Sequence, residues 1–114
     1  MSDCIFCKIA KHEIQANIIY EDEMLVAFHD LFPQAPLHIL IIPKNHYATL
    51  NDVPTGEFGI LGQMMQTAQQ LAKSQGFSEQ GFRLVMNCNS DGGQSVYHIH
   101  LHLLAGRTLL WPPG

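Results

Sequence analysis

The stretch Tyr97–Arg107 reads YHIHLHLLAGR, and no other part of the chain constrains the fold as much. Imidazole and aliphatic side chains alternate strictly from His98 to Leu103. That is the two-residue period of an extended strand, whose successive side chains project to opposite faces. Ile99, Leu101 and Leu103 therefore share one face, and His98, His100 and His102 share the other. The aliphatic face needs a core, and its burial pins the register, because a slip of one residue would bury the imidazoles instead. The rings then stand in a row on the opposite surface, about 6.5–7 Å apart along the strand.

Further strands surround this one. β-rich runs at Ile18–Tyr20 and Met24–His29, separated by EDE, predict a hairpin. HILIIPKNH, from His38 to His46, predicts a strand ended by Pro43. FRLVMNC, residues 82–88, and YHIHLHLLAG, residues 97–106, predict two more, joined by the turn-rich NSDGGQS. LFPQAPLH carries two prolines and reads as loop, and FCKIAKHE as a short helix. One long helix falls within residues 51–77, where Phe58, Leu61, Met65, Ala68 and Ala72 recur at helical spacing and Ile60, Met64 and Leu71 widen the stripe. Asp52 or Thr55 suits its N-cap, Pro54 its first turn and Gly76 its end. The stripe reads as core, with part of it available to a second subunit. The sum is an α+β fold, a five-stranded mainly antiparallel sheet with one long and one short helix, in a single domain over residues 1–114.

Composition excludes several functions. Six Lys and Arg against ten Asp and Glu give a net charge of −4 with no basic run, which argues against a nucleic-acid partner. The longest aliphatic run, Ile39–Ile42, is far too short to cross a bilayer, so no membrane partner is expected. The opening MSDCIFCKIAKHE lacks an apolar stretch of signal-peptide length, and a cytoplasmic location is expected. Three cysteines, Cys4, Cys7 and Cys88, are an odd number that argues for thiols rather than a disulfide framework.

The histidine row has three readings: a solvated strand face, a three-histidine metal site, or nucleophilic catalysis in which one neutral imidazole attacks. Three ligands from one strand strain metal geometry, and solvated strands usually carry Thr, Lys or Glu. The preceding loop favours catalysis. Gly92 and Gly93 let backbone N–H groups converge on an anion, and Ser95 adds a hydroxyl, three residues before His98. That combination points to phosphoryl chemistry.

His98-Ile99-His100-Leu101-His102-Leu103-Leu104 resembles the signature of the histidine-triad (HIT) superfamily. FHDLFPQAPLHILIIPKNH, GGQSVYHIHLHLLAGR and the closing WPPG are similar to its nucleotide-binding branch, so the resemblance covers nearly the whole chain. It implies a homodimer with joined sheets, the C-terminal tail and Trp111 of one subunit nearing the other's site. It implies a hydrolase of purine nucleoside 5′-phosphoramidates with no organic cofactor. His100 is then the nucleophile; His102 and His38 hold phosphate or line the site; and Asn87 and Ser95 contact phosphate and leaving group. Gly93, Gln94 and Ser95 belong to the anion loop, where the Gln94–Ser95 backbone completes an oxyanion pocket. Asp30 takes the ribose hydroxyls, and Phe6, Ile14, Phe28, Leu31 and Leu40 surround the purine. A dinucleoside polyphosphate hydrolase and a non-catalytic nucleotide sensor are the alternatives. The dinucleotide branch typically carries Gln at the position of His102.

The Cys4-x-x-Cys7 pair departs from the animal pattern of that branch. It reads as a helical accident, a redox pair or half of a structural zinc site. Resemblance to bacterial members implies completion by His46 and His98, which would turn His98 away from the catalytic row. Cys88 reads as a packed thiol.

Overall fold

Alternation along two neighbouring strands builds both faces of the central sheet. The computed structural model describes residues 3–114. In order come α1 (Ile5–Ala10), β1 (Ile18–Glu21), β2 (Leu25–His29), β3 (Leu37–Pro43), α2 (Gly59–Ser74), β4 (Phe82–Val85), α3 (Asn89–Gly92) and β5 (Leu101–Ala105). The five strands form one sheet in the order β1-β2-β3-β5-β4, and every neighbouring pair is antiparallel.

β3 lies at the centre and is buried along its whole length. Leu37, Ile39 and Ile41 join Ile99, Leu101 and Leu103 beneath Ile60, Met64, Ala68, Leu71 and Ala72 of α2. Each of these Leu, Ile and Met side chains, fully buried, contributes about 1.5–3 kcal/mol. The other face carries Leu40, Ile42, Val26 and Phe28, covered by Phe6, Ile9 and Ala10 of α1. The same alternation puts His38, His100 and His102 on this second face. The aliphatic half of the triad strand is thus core, as its pattern requires. The imidazole half is not a surface row: His98 is 0% and His100 5% exposed. A short helix covers what alternation alone left open to solvent.

Three local expectations change. Regular pairing of β5 starts at Leu101, not Tyr97, with Ile41↔Leu101 the last pair to β3. Pro43 has no N–H to extend the ladder, and Ile99 N–H instead donates to Tyr47 O at 2.8 Å. The long helix begins at Gly59, after two 3₁₀ turns at Leu50–Asp52 and Thr55–Glu57. Asp52 and Thr49 form a reciprocal capping box on the first of these, so Asp52 caps that turn and not α2. Gly76 does end the helix, at φ +88°, with Gly76 N–H to Lys73 O and Phe77 N–H to Ala72 O. NSDGGQS is a helical turn closed by left-handed Gly93, rather than a plain hairpin loop.

Phe58 and Met65, read as part of the helix's core stripe, are 48% and 54% exposed. They lie towards one edge of that stripe, and β4 is an edge strand carrying the half-exposed Phe82. None of the helices is long and apolar enough to cross a membrane among the described residues.

Candidate active site and metal cluster

Backbone carbonyls and neighbouring side chains set two tautomers among the triad rings, Nδ1–H at His100 and Nε2–H at His98 and His102. His100 Nδ1 lies 2.8 Å from the carbonyl oxygen of His98. A carbonyl only accepts, so the proton sits on Nδ1 and Nε2 keeps its lone pair. His38 Nδ1 accepts the backbone N–H of Gln34 at 3.0 Å, which puts the His38 proton on Nε2. That N–H faces His102 Nδ1 at 2.9 Å, so His102 in turn carries its proton on Nε2. His98 Nε2 donates to Pro43 O at 2.8 Å, leaving its Nδ1 bare. One ring thus offers a nucleophilic lone pair, one a donor, and one a ligand atom facing away.

Burial keeps these rings neutral. Desolvation is the largest cause lowering His38 and His100 below the ordinary imidazole value, and it pushes His102 and His98 to about 4. A row of imidazolium ions at neutral pH is therefore excluded, and His100 is unprotonated at the atom that would attack.

His100 and His102 line a cleft of about 340 Å³ together with Phe6, Ile14, Phe28, Leu31, Leu40, Asp30 and Ser95. Their ring centroids are 5.0 Å apart, closer than the strand rise alone suggests, because the rings tilt towards each other. Phe6 packs edge-on against His100 at 5.1 Å and against Phe28 at 5.5 Å. Asp30 accepts Phe32 N–H at 2.8 Å through Oδ1, while Oδ2 lies 3.5 Å from His38 Nε2. That second oxygen is the one available to a pair of hydroxyl donors.

Other expected residues sit differently. Gln94 is buried and its amide is fully engaged: Asn89 N–H donates to Oε1, and Nε2 donates to Ala48 O and Val96 O. Its backbone N–H donates to Asn89 O, and that of Gly93 to Ser90 O. Neither N–H points at an anion here, and of the expected oxyanion pair this leaves Ser95. Asn87 is half-buried next to Gly92 and does not line the cleft. Trp111 is 83% exposed, away from the cleft of its own chain. Conversely, Phe32, Gln15, Asn17 and His29 line the cleft although sequence reasoning did not single them out. Phe32 had a signal, its adjacency to Asp30 and Leu31; the approach of residues 15–17 is tertiary and had none.

Cys4, Cys7, His46 and His98 converge, their ligand atoms all within 4.8 Å of one another. His98 Nδ1 is 3.3 Å from Cys4 Sγ, 3.5 Å from Cys7 Sγ and 3.1 Å from His46 Nδ1; Cys7 Sγ is 3.3 Å from His46 Nδ1. Metal–ligand bonds of about 2.0–2.3 Å in a tetrahedron put ligand atoms roughly 3.3–3.8 Å apart, so these separations fit one small cation. The soft-plus-imidazole donor set and the bare Nδ1 of His98 fit Zn²⁺. Asp30, His38 and His102 also cluster. They do not suit a metal, because Gln34 N–H commits His38 Nδ1 and so leaves a proton, not a lone pair, on the converging Nε2.

A family model described as the HIT domain matches residues 11–109. Purine nucleoside phosphoramidase of Escherichia coli strain K12 is 50% identical over 107 residues, covering 94% of this chain and 90% of that protein. The crystal structure of a HIT family hydrolase from Legionella pneumophila Philadelphia 1 is 55% identical with a TM-score of 0.96, covering 98% of this chain and 100% of that one. A Zn-bound histidine triad family protein from Mycobacterium smegmatis is 31% identical with a TM-score of 0.79, covering 92% of this chain and 76% of that one.

Proposed function

The chain belongs to the HIT domain family, and from that premise we propose that it hydrolyses purine nucleoside 5′-phosphoramidates through a nucleotidyl-histidine at His100. The observation that carries this reading is the 2.8 Å bond from His100 Nδ1–H to His98 O, which aims a bare Nε2 at the cleft. Support comes from the half-identical relative named purine nucleoside phosphoramidase.

In the first step His100 Nε2 attacks the α-phosphorus and the P–N bond to the amine breaks. The ring becomes cationic as it is phosphorylated, and the His98 carbonyl then receives a stronger hydrogen bond from Nδ1–H. The amine leaves with a proton, for which the Ser95 hydroxyl is the cleft's candidate donor. His102 Nε2–H donates to a phosphoryl oxygen where negative charge develops. Water then attacks the phosphorus and returns its proton to the Ser95 oxygen, the P–N bond to His100 breaks, and nucleoside monophosphate is released. Asp30 Oδ2 receives the ribose hydroxyls, while Phe6, Phe28, Ile14 and Leu40 enclose the base.

Zinc belongs to the same reading, held by Cys4, Cys7, His46 and His98, where it would tie α1 to the sheet. So does a homodimer: the free edge of β4, with Phe82, Phe58 and Met65 partly exposed, offers strands and apolar surface to a second copy. Thiol ligands suit a reducing, cytoplasmic setting.

Rapid mixing with adenosine or guanosine 5′-phosphoramidate, acid quench and intact-mass measurement test the chemistry. An adduct of one nucleoside monophosphate is expected, absent in His100→Ala. Nucleotide binding without adduct or turnover would make the protein a sensor instead.

A further inference from the structure

We propose that Cys4, Cys7 and His46 are positioning residues for the nucleophile: the metal cluster they form with His98 holds the carbonyl and the aromatic ring against which His100 is set. The inference rests on the zinc reading above and concerns what occupancy does to the reacting ring.

Two connections run from the cluster to His100. The first is the backbone of residue 98. Its ring is tied at Nε2 to Pro43 O and at Nδ1 to the cluster, and its own carbonyl accepts His100 Nδ1–H. Residues 98–100 lie outside the regular strand pairing, with Ile99 N–H to Tyr47 O as their backbone tie. The carbonyl's position therefore depends on how firmly the His98 ring is anchored. Metal ligation adds a second anchor to the Pro43 bond.

The second connection is Phe6. It stands between Cys4 and Cys7 in sequence, and its ring meets His98 at 5.9 Å and His100 at 5.1 Å, both nearly perpendicular. α1 has six residues, too few to be helical without tertiary support. Burial of Phe6, Ile9 and Ala10 and ligation by the two thiols supply that support. Loosening the cluster thus frees α1 and with it the wall that confines the His100 ring. Small displacements of a reacting group cost up to about 100-fold in rate, and loss of supporting groups around a site costs about 10–100-fold.

The full-length protein is loaded with Zn²⁺ or Co²⁺, or stripped by chelator under thiol reductant, and three signals are read. Thiolate-to-Co²⁺ absorption reports the cluster. The ¹H–¹⁵N signal of His100 Nδ1–H, assigned by its loss in His100→Ala, reports ring placement without substrate. Steady-state rates separate kcat from KM. Loaded protein should show a sharp Nδ1–H signal; stripping, or Cys7→Ser, should broaden or shift it and lower kcat about tenfold, with KM rising as well because Phe6 on α1 also encloses the base. Cys7→His, which keeps four ligands, should restore both. A stripped protein that stays folded by circular dichroism and keeps its His100 signal and kcat would overturn the proposal. Absence of a Co²⁺ band would remove the zinc reading and the coupling together. Absence of hydrolysis alone would leave the His100 signal to report the coupling. Should stripping unfold the chain, Phe6→Leu in loaded protein must shift the His100 signal with the Co²⁺ band intact; an unshifted signal counts against the coupling.

Discussion

His38 on β3 hydrogen-bonds across the sheet to His102 on β5, Nε2 to Nδ1 at 2.9 Å. Because Gln34 N–H occupies the other nitrogen of His38, the direction of this bond sets the His102 tautomer. Replacing His38 with Phe retains bulk but removes the donor, leaving His102 free to carry its proton on either nitrogen. The lost bond corresponds to about 1–2 kcal/mol, or roughly tenfold in kcat. Steady-state kinetics check this; an unchanged kcat would mean that the His102 tautomer does not matter to the reaction.

Acid should destabilise the fold before the carboxylates titrate. Burial first, then neighbouring imidazoles, lowers His102 to about 4, and burial lowers His98 to about 4. Between about 4 and the unfolded value near 6.5 the unfolded chain holds more protons than the folded one, so stability falls as pH drops through that window. Above 6.5 these groups leave stability flat. Denaturant titrations of metal-stripped protein near pH 5 should give an uptake of about two protons on unfolding from these two rings. The acidic limb of kcat/KM should also lie below 6.5, since burial lowers His100, the proposed nucleophile.

Gln94→Ala removes three hydrogen bonds, one from Asn89 N–H within the Asn89–Ser95 turn and two that tie the turn to Ala48 O and Val96 O. Buried partners left unsatisfied cost about 1–3 kcal/mol each, offset in part where water enters. A stability loss of about 2–3 kcal/mol is expected, together with a lower kcat because the turn carries Ser95. Gln94→Glu keeps an acceptor for Asn89 N–H but sets a buried carboxylate oxygen against the Ala48 and Val96 carbonyls, and should cost at least as much as Ala.

Gly106 follows β5 at φ +100°, and a Cβ there would lie 2.7 Å from Pro36 Cβ. Gly106→Ala should destabilise by about 2–3 kcal/mol from left-handed strain plus the contact. That corresponds to roughly 10 °C in Tm. Gly81, also at φ +100° but with open space around it, should lose less on the same change, which separates strain from collision.

Legibility followed the range of the interaction. The triad strand, the β3 strand and the end of α2 at Gly76 were readable because period-two burial and a left-handed cap are local properties. The start of α2 was not, since Thr49 and Asp52 form a competing cap on a turn that periodicity merges into the helix. Phe58 and Met65 fit a helical stripe yet stay partly exposed, because the sheet covers only one side of α2.

Alternation along the chain sets His98, His100 and His102 opposite the core residues Ile99, Leu101 and Leu103, though only His102 lies in regular strand, and spacing puts Cys4 and Cys7 one helical turn apart. Alternation and helical spacing require no distant partner. Long-range packing set the tautomers of His98 and His102. Pro43 O and the His38 Nε2–H lie 55 and 64 residues from the rings they engage and His98 O two residues from His100, and each removes one nitrogen of one imidazole from consideration. Which nitrogen keeps its lone pair depends on distant partners at His98 and His102, and at His100 on a carbonyl two residues back along the chain.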